Sequence, residues 1–325
     1  MANGEKKLST KREVDWFMVL IQMQAAFVIV IGLHVCVFQA QWRTIFFSIV
    51  LALFSNLGLT AGAHRLWAHQ SYKATTKLKI FLALCHTLAG TGSIYNWARL
   101  HRLHHKHFGT DLDPYNCSKG FYFAHVTGFC FKLSEAQEEA LNEIDTSDLE
   151  NDQVVMFQHR FYWYLYLIIA VLLPVNAPAE YWGETLMNTV AIAGFMRLAV
   201  VFHSNLLISS GSKLLGLAPG EKFPSDTNLV FFFNKTHWIS YHYLAPWDYQ
   251  TGEYGKYGED CPTIFINLCE TLKLASDLKT VDSNTIRKAL VKSVDEKKTF
   301  SDSLFELHNV EQKTKDNMFR PTKFF

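Results

Sequence analysis

Two long stretches near the start of the sequence contain no charged side chain. No Lys, Arg, Asp or Glu occurs in the 27 residues from Trp16 to Trp42, and after Arg43 none occurs in the 20 residues from Thr44 to Ala63. Each stretch is long enough to cross a bilayer, which takes about 20 apolar residues in a helix. A buried helix of a soluble protein is the alternative for each, but two adjacent charge-free runs favour membrane spans.

Two later stretches are also poor in charge. One is uncharged from Phe161 to Ala179, and the other runs from Thr185 to about Ile208 with Arg197 inside it. The four stretches predict an all-α membrane protein with four transmembrane helices in two hairpins, at about 16–38, 43–63, 161–181 and 185–208. We therefore divide the chain into an N-terminal segment, 1–15, a membrane-associated domain, 16–280, and a polar C-terminal tail, 281–325.

The orientation of these spans follows from the charges around them. No cleavable signal peptide is expected, because the first apolar run is too long and lacks a small-residue cleavage pattern. Lys6, Lys7, Lys11 and Arg12 precede the first span, so the positive-inside rule places the N-terminus in the cytosol. Four spans return the C-terminus to the same side, and residues 64 to about 160 and 210 to 325 then form a cytosolic helical cap.

A fifth uncharged stretch, residues 80–98, is predicted to be a bent or interfacial helix, because Gly90-Thr91-Gly92 interrupts it. In this topology the glycosylation motifs at Asn116 and Asn234 face the cytosol and carry no glycan.

The chain also lacks an excess of either charge and any paired-cysteine motif. Its 31 basic and 30 acidic residues nearly cancel, which gives no electrostatic case for nucleic acid binding. None of the cysteines forms a CxxC pair, and all are expected to be free thiols: Cys36, Cys85, Cys117, Cys130, Cys261 and Cys269.

Histidines are concentrated in WARLHRLHHKHFG, residues 97–109, which contains His101, His104, His105 and His107. On a helix with 3.6 residues per turn the first three share one face. A metal ion is the common way to hold neutral imidazoles so close together, the alternative being a structural or pH-sensing cluster.

A second histidine pair, His64 and His69, follows the second uncharged stretch in AGAHRLWAHQSYKA. On a straight helix five positions correspond to about 140°, too wide for one metal ion. Unwinding of the helix end would let both histidines contribute to a shared dinuclear site. Together with the first cluster, on the same side of the membrane, this pair strongly predicts a metal centre.

Four motifs resemble those of the membrane-bound fatty acyl-CoA desaturases, especially the animal delta-9 or stearoyl-CoA type. They are HRLWAH at 64–69, HRLHH at 101–105, TDLDPYN at 110–116 and PWDYQTGEYG at 246–255, and the likeness runs from about residue 12 to about 280. The resemblance implies a four-span protein of the endoplasmic reticulum that holds two irons under a cytosolic cap. With O2 and electrons from cytochrome b5, such a protein inserts a cis double bond into a saturated fatty acyl-CoA.

The chain departs from the family at its third histidine motif. Where the family has HNYHH, residues 239–243 read ISYHY, so Ile239 and Tyr243 replace histidines. Lys213 replaces a further histidine and Ser209 replaces an asparagine that helps hold metal through water. Six of nine family histidines remain as the expected metal ligands: His64, His69, His101, His104, His105 and His242.

The coenzyme A contacts of the family are retained only in part. The resemblance makes Trp97, Arg99 and Lys132 the expected substrate-binding residues, whereas Leu100 and Leu133 replace an acidic and a basic residue. Thr91 and Gly92 replace a Gln-Asn pair in the region of the family's acyl tunnel.

These replacements predict an acyl-CoA desaturase homologue that is impaired or inactive and holds one metal ion or none. Isoleucine offers no donor atom and lysine brings a positive charge to a site that needs neutral donors. One alternative is a competent iron enzyme in which His203 or His237 serves as substitute ligand. Another is a non-catalytic chain that binds lipid or pairs with an active desaturase. A structural membrane protein with incidental histidines would explain none of the motifs.

Overall fold

The computed structural model describes residues 9–214, 242, 245–250, 261–281, 283–298 and 302–309. Within these residues the protein is mostly helical, and its one sheet pairs two short antiparallel strands, β1 (Lys73–Ala74) and β2 (Ala275–Ser276). The predicted all-α class is confirmed.

The helices follow one another along the chain in this order: α1 (Trp16–Phe38), α2 (Trp42–Leu57) with a π-helical continuation (Gly58–Ala68), α3 (Thr76–Ala89), α4 (Ile94–Lys106), α5 (Phe121–His125), α6 (Glu135–Asn142), α7 (Ser147–Glu150), α8 (Gln153–Arg160), α9 (Tyr162–Tyr166), a π-helical stretch (Leu167–Leu172), α10 (Leu173–Trp182), α11 (Leu186–Thr189), a π-helical stretch (Val190–Met196), α12 (Arg197–Leu214), α13 (Cys261–Thr271) and α14 (Ser283–Asp295). Residues 302–309 are also helical.

Four continuous helical stretches are long and apolar enough to cross a membrane, as the sequence predicts. They are Trp16–Phe38, Trp42–Ala68, Tyr162–Trp182 and Leu186–Leu207. Large apolar side chains on their outer faces are exposed, as lipid-facing helices require. Short connections join them in pairs, so the protein is a multi-pass membrane protein built from two hairpins.

Glu184 ties the two hairpin connections together at one end of the bundle. Its carboxylate accepts hydrogen bonds from the Gln41 backbone N–H at 2.8 Å, the Thr44 hydroxyl at 2.7 Å and the Asn188 amide at 2.9 Å. The side chain is buried, so these bonds replace the water that a carboxylate would otherwise bind. This end of the bundle is opposite to the end that carries the histidines, because α2 and its π-helical continuation run from one end to the other.

The uncharged stretch at residues 80–98 is bent, as predicted. Helices α3 and α4 meet at 82°. Gly90 and Gly92 have φ angles of 72° and 92°, a left-handed backbone that favours glycine. The Ser93 hydroxyl then accepts the Asn96 N–H and begins α4, which carries the histidines of residues 101–105.

The C-terminal helices are packed against the rest of the protein rather than fully solvated. Ile286 and Ala289 of α14 and Leu304 form a buried apolar cluster with Ala245 and Val281. The sequence predicted a polar tail at 281–325 because charged residues dominate this region, and the apolar residues scattered among them share one buried face.

Candidate metal centre

Five imidazole rings converge at the histidine-bearing end of the bundle. The Nε2 atoms of His64 and His242 lie 3.1 Å apart, those of His69 and His101 2.9 Å apart, and those of His105 and His242 2.9 Å apart. Two nitrogens bound at right angles to one ion at about 2.1 Å would lie about 3 Å apart. The spacing of these rings therefore fits the edges of one coordination shell.

Four of these histidines form the tightest group. One ligand atom from each of His64, His69, His101 and His242 lies within 4.8 Å of the other three. His64, His101 and His242 are buried, and their imidazoles are therefore kept from water. Neutral imidazoles converging in a buried site are the donor set that transition-metal ions such as iron and zinc prefer.

His64 and His69 share one face because the end of the second span is π-helical. The His69 backbone N–H donates to the His64 carbonyl at 3.1 Å, a bond that spans five residues. In such a turn residues five apart lie one above the other, whereas in an α-helix they diverge. The two rings are 4.8 Å apart between centroids. The straight-helix angle of about 140° therefore does not apply here, because this helix end departs from α-helical geometry.

Helix α4 supplies His101 and His105, four residues apart on one face, with ring centroids 4.7 Å apart. Trp97, one turn earlier, stacks on His101 at 4.9 Å with an angle of 16° between the rings. The Trp97 indole also donates a hydrogen bond to Asn205 of α12 at 3.0 Å, which fixes the tryptophan between the two helices.

His104 has a different environment from its neighbours on α4. Its Nδ1 lies 2.7 Å from a carboxylate oxygen of Asp113, and both side chains are wholly buried. Asp113 also accepts the backbone N–H of Tyr115 at 2.9 Å. A carboxylate on Nδ1 fixes the tautomer with the lone pair on Nε2, the form in which a histidine can bind metal.

Asp113 is the functional residue that the sequence reasoning missed. It lies in the TDLDPYN motif, which resembles the family, but no role was assigned to it. An aspartate nine residues after a histidine gives no periodic signal, because a loop and not a helix brings the two side chains together.

The structure places the substitute ligand His203 away from the five converging rings. Its Nδ1 lies 3.2 Å from Nε2 of His125, whose Nδ1 lies 2.8 Å from the Ser210 hydroxyl. Burial, and then the neighbouring His203, lower the pKa of His125 to about 4, so this imidazole is neutral at neutral pH.

Ser209 and Lys213 belong to α12, but their side chains are not among those described. His237, Ile239 and Tyr243 lie outside the described residues.

A cavity of about 530 Å³ reaches the candidate metal centre from the side of α1. Aromatic and aliphatic side chains dominate its lining, and His101 and Trp97 are part of its wall. The other lining residues include Phe17, Met18, Ile21, Leu100, Tyr115, Phe129, His159, Tyr162, Tyr166, Phe202 and Asn205. An apolar cavity of this size that touches candidate metal ligands is suited to an apolar ligand.

Of the three predicted substrate-binding residues, Trp97 lines this cavity. The Arg99 guanidinium donates to the Leu141 carbonyl at 3.1 Å and to the Asn142 side chain at 2.7 Å. The Lys132 side chain is exposed and lies 3.6 Å from a carboxylate oxygen of Glu13. Arg99 and Lys132 therefore lie outside the cavity lining.

The five cysteines whose side chains are described are all unpaired, as the sequence predicts: Cys36, Cys85, Cys130, Cys261 and Cys269.

Several proteins of known function are similar to this chain over most of its length. An acyl-CoA Delta-12 desaturase of Tribolium castaneum is 35% identical over 284 residues, which cover 86% of this chain and 79% of that protein. An acyl-CoA Delta-9 desaturase of Acheta domesticus is 35% identical over 88% of this chain and 80% of its own length. The human stearoyl-CoA desaturase is 40% identical over 71% of this chain and 65% of its own length. No protein-family model matches the chain.

Proposed function

The chain belongs to the acyl-CoA desaturase family, and from this premise we propose that it binds a fatty acyl-CoA beside a centre holding a single metal ion, with desaturation impaired or absent. The observation that carries the proposal is the convergence of four histidine ligand atoms within 4.8 Å. That group is complete without the family positions at which this chain has Lys213, Ile239 and Tyr243.

A second ion would lack donors. His104 and His105 are the remaining histidines of the six, and isoleucine offers no donor atom to supplement them. Lysine brings a positive charge, and a tyrosine would have to lose its proton before it bound metal well. These costs favour one ion at His64, His69, His101 and His242, with His105 beside it.

The cavity and the metal centre would act together on an acyl chain. Iron is the metal that the family reaction requires, and in this centre it would supply oxygen and electron-transfer chemistry. The apolar walls orient the chain past Trp97 and His101 and exclude water from it. Asp113 holds the His104 imidazole in one tautomer.

The alternative is a competent desaturase, and the names of the relatives favour it. This alternative needs a substitute ligand, His203 or His237. The contact of His203 with His125 counts against the first of these. A third function, in which the chain pairs with another, active desaturase chain, needs no complete metal centre.

Metal content and turnover measured on the same detergent-purified protein test these functions. We expect one transition-metal ion per chain, with iron, zinc and manganese all counted, and no product from a saturated acyl-CoA supplied with O2 and reduced cytochrome b5. Two irons with product formation, abolished by H242A, would establish the competent enzyme instead. Protein without metal would favour the pairing function.

We also propose that the protein lies in the endoplasmic reticulum membrane with both termini in the cytosol. The basic residues before the first span support this orientation, as does the similarity to stearoyl-CoA desaturase. Expression in cells with an N-glycan assay at Asn116 and Asn234 tests it. Both sites are expected to stay unmodified, and a glycan at either would contradict the orientation.

A further inference from the structure

A second, smaller space adjoins the cavity beside the metal centre. This groove of about 210 Å³ lies between α1, α12 and the end of α3, and its lining includes Ala25, Val28, Leu198 and Ala199. Nearly all of its lining residues belong to the candidate membrane spans. The groove therefore lies between helices that are long and apolar enough to cross a membrane, and its aliphatic lining suits an alkyl chain.

The cavity and the groove share part of their walls. Ile21, Gly90, Tyr166 and Phe202 line both. His101 and Trp97 line only the cavity, whereas Ala25 and Ala199 line only the groove. The shared residues therefore form a partition between a space that touches the metal centre and a space that does not.

Tyr166 and Phe202 are the two large aromatic side chains of this partition, and Tyr166 packs against residues on both of its sides. A Cβ placed on Gly90 would lie 3.0 Å from a Tyr166 ring carbon and 3.1 Å from Leu198, so both side chains press against the Gly90 backbone. On the cavity side the Tyr166 ring stacks on Tyr162 at 5.9 Å and meets Trp163 edge-on at 6.1 Å. Because Gly90 has a φ of 72°, a larger residue there would be strained, and the tyrosine fills the space instead.

We propose that Tyr166 sets the length of acyl chain that the cavity accepts, and that the groove between α1 and α12 receives the methyl end of a longer chain when this side chain is small. The inference rests on the proposed binding of fatty acyl-CoA. The occupant of the groove would be the same alkyl chain that passes the histidine cluster, because the two spaces adjoin at residues that include Tyr166 and the side chains lining the groove are mostly apolar, with Gln24 as the polar exception.

Equilibrium binding of a series of saturated acyl-CoAs, each two carbons longer than the last, to the purified full-length protein tests the proposal. For the wild type, affinity should rise with chain length and then stop rising. In Y166A the length at which it stops should increase by at least two carbons. Each newly buried pair of methylenes should tighten binding by roughly 3-fold to 15-fold.

Two control variants separate the partition from a general loosening of the protein. Y166F keeps the ring and removes only the hydroxyl, so its length limit should equal that of the wild type. A199F in the Y166A background fills the groove from the side that does not line the cavity, so the wild-type limit should return. If Y166A fails to purify as a folded protein, Y166L tests the same point with a smaller loss of packing.

The binding experiments can overturn the role of Tyr166 without overturning the proposed function. Saturable binding with an unchanged length limit in Y166A and Y166L would overturn the role of Tyr166 alone. A raised limit that A199F leaves in place would overturn the groove as the occupied space. No saturable binding of any acyl-CoA by the wild type would overturn the proposed function and this inference with it.

Discussion

His101 and His104 are three residues apart on α4, yet their environments differ. His101 contacts His69 and lies under Trp97 in the four-histidine group, whereas His104 is held by Asp113. In a centre with two ions both histidines would be expected to bind metal. In a centre with one ion at the four-histidine group, His101 is a ligand and His104 is not required.

Substitution of these two histidines should therefore have unequal effects on metal content. H101A should lose most of the bound metal, because it removes one of four ligands and leaves His69 without its partner nitrogen. H104A should keep close to one ion per chain, with affinity reduced by no more than about 10-fold. Elemental analysis of the purified variants measures both.

H107A is the matched control, since His107 lies on the same stretch but outside the four-histidine group. Equal loss of metal in H104A and H101A, in protein that still elutes as a folded species, would argue for a second ion and against the proposal.

Connections between helices are stabilised by buried charged groups at two places in the molecule. Glu184 joins the two hairpin connections, and Arg197 joins three of the helical stretches within the bundle. Both side chains are buried and make at least three hydrogen bonds each, so removal of either breaks several hydrogen bonds in the protein interior.

Replacement of Glu184 should weaken the protein in a pH-dependent way. Burial by itself raises the pKa of this carboxyl, but the hydrogen bonds from Thr44, Gln41 and Asn188 outweigh it and hold the pKa below the usual range. A carboxyl whose pKa folding lowers contributes stability above its unfolded pKa and loses it as the pH falls through the folded value.

Thermal unfolding in detergent should therefore show that the wild type loses stability below about pH 5. At neutral pH, E184Q should be less stable than the wild type by roughly 2 to 3 kcal/mol, and its stability should fall less on acidification, which we call the acid response. E180Q, at an exposed position of the same helix end, is the control and should match the wild type. An acid response in E184Q equal to that of the wild type would show that other groups cause it.

Arg197 donates to backbone carbonyls in three different helical stretches. Its guanidinium contacts the carbonyls of Ala193 at 2.8 Å, Leu88 at 2.8 Å and Ala170 at 2.6 Å. Ala170 and Ala193 lie in π-helical stretches. A fixed fork of five donors is what allows one side chain to reach all three.

R197A should destabilise the protein by about 3 kcal/mol or more. The stability of R197K should lie between those of R197A and the wild type, because an ammonium group cannot span the three carbonyls. Melting temperature and the monodisperse fraction in size-exclusion chromatography measure the effect. R43A removes an exposed arginine from the start of α2 and should change stability by less than about 0.5 kcal/mol. A similar loss in R43A and R197A would contradict the bridging role.

At the scale of the whole molecule, residues 245–250 connect the histidine cluster to the C-terminal helices. Asp248 accepts hydrogen bonds from the Val281 N–H at 3.0 Å and the Thr280 hydroxyl at 3.2 Å. The neighbouring Tyr249 carbonyl accepts the Arg65 side chain at 2.9 Å, and Arg65 directly follows His64. This segment therefore links His64, a candidate metal ligand, to the region after residue 278.

Loss of the Asp248 contacts should loosen metal binding although no candidate ligand is removed. D248A is expected to have a lower melting temperature, with a free energy of unfolding roughly 2 to 3 kcal/mol below that of the wild type. It should also release metal to a chelator faster than the wild type. D295A, at an exposed position in α14, is the control and should behave as the wild type. If D248A is destabilised but releases metal to the chelator at the wild-type rate, the Asp248 contacts do not influence metal binding.

The membrane spans, their pairing and the bend at Gly90 were all predictable, since each depends on the composition and spacing of neighbouring residues. The family and its histidines were predictable from motifs for the same reason. The amphipathic spacing of His101 and His105 on α4 is local as well, and it is found as expected.

The remaining features depend on which segments meet in space, and composition does not record that. The π-helical turn at Gly58–Ala68 places His64 and His69 together although straight-helix spacing separates them. Asp113 reaches His104 through a loop, and Arg197 finds carbonyls on other helices, because buried polar groups must be paired wherever packing brings them. The sequence by itself determined the membrane fold and the set of candidate ligands; only the tertiary structure decided which of these histidines lie together and which residues line the cavity beside them.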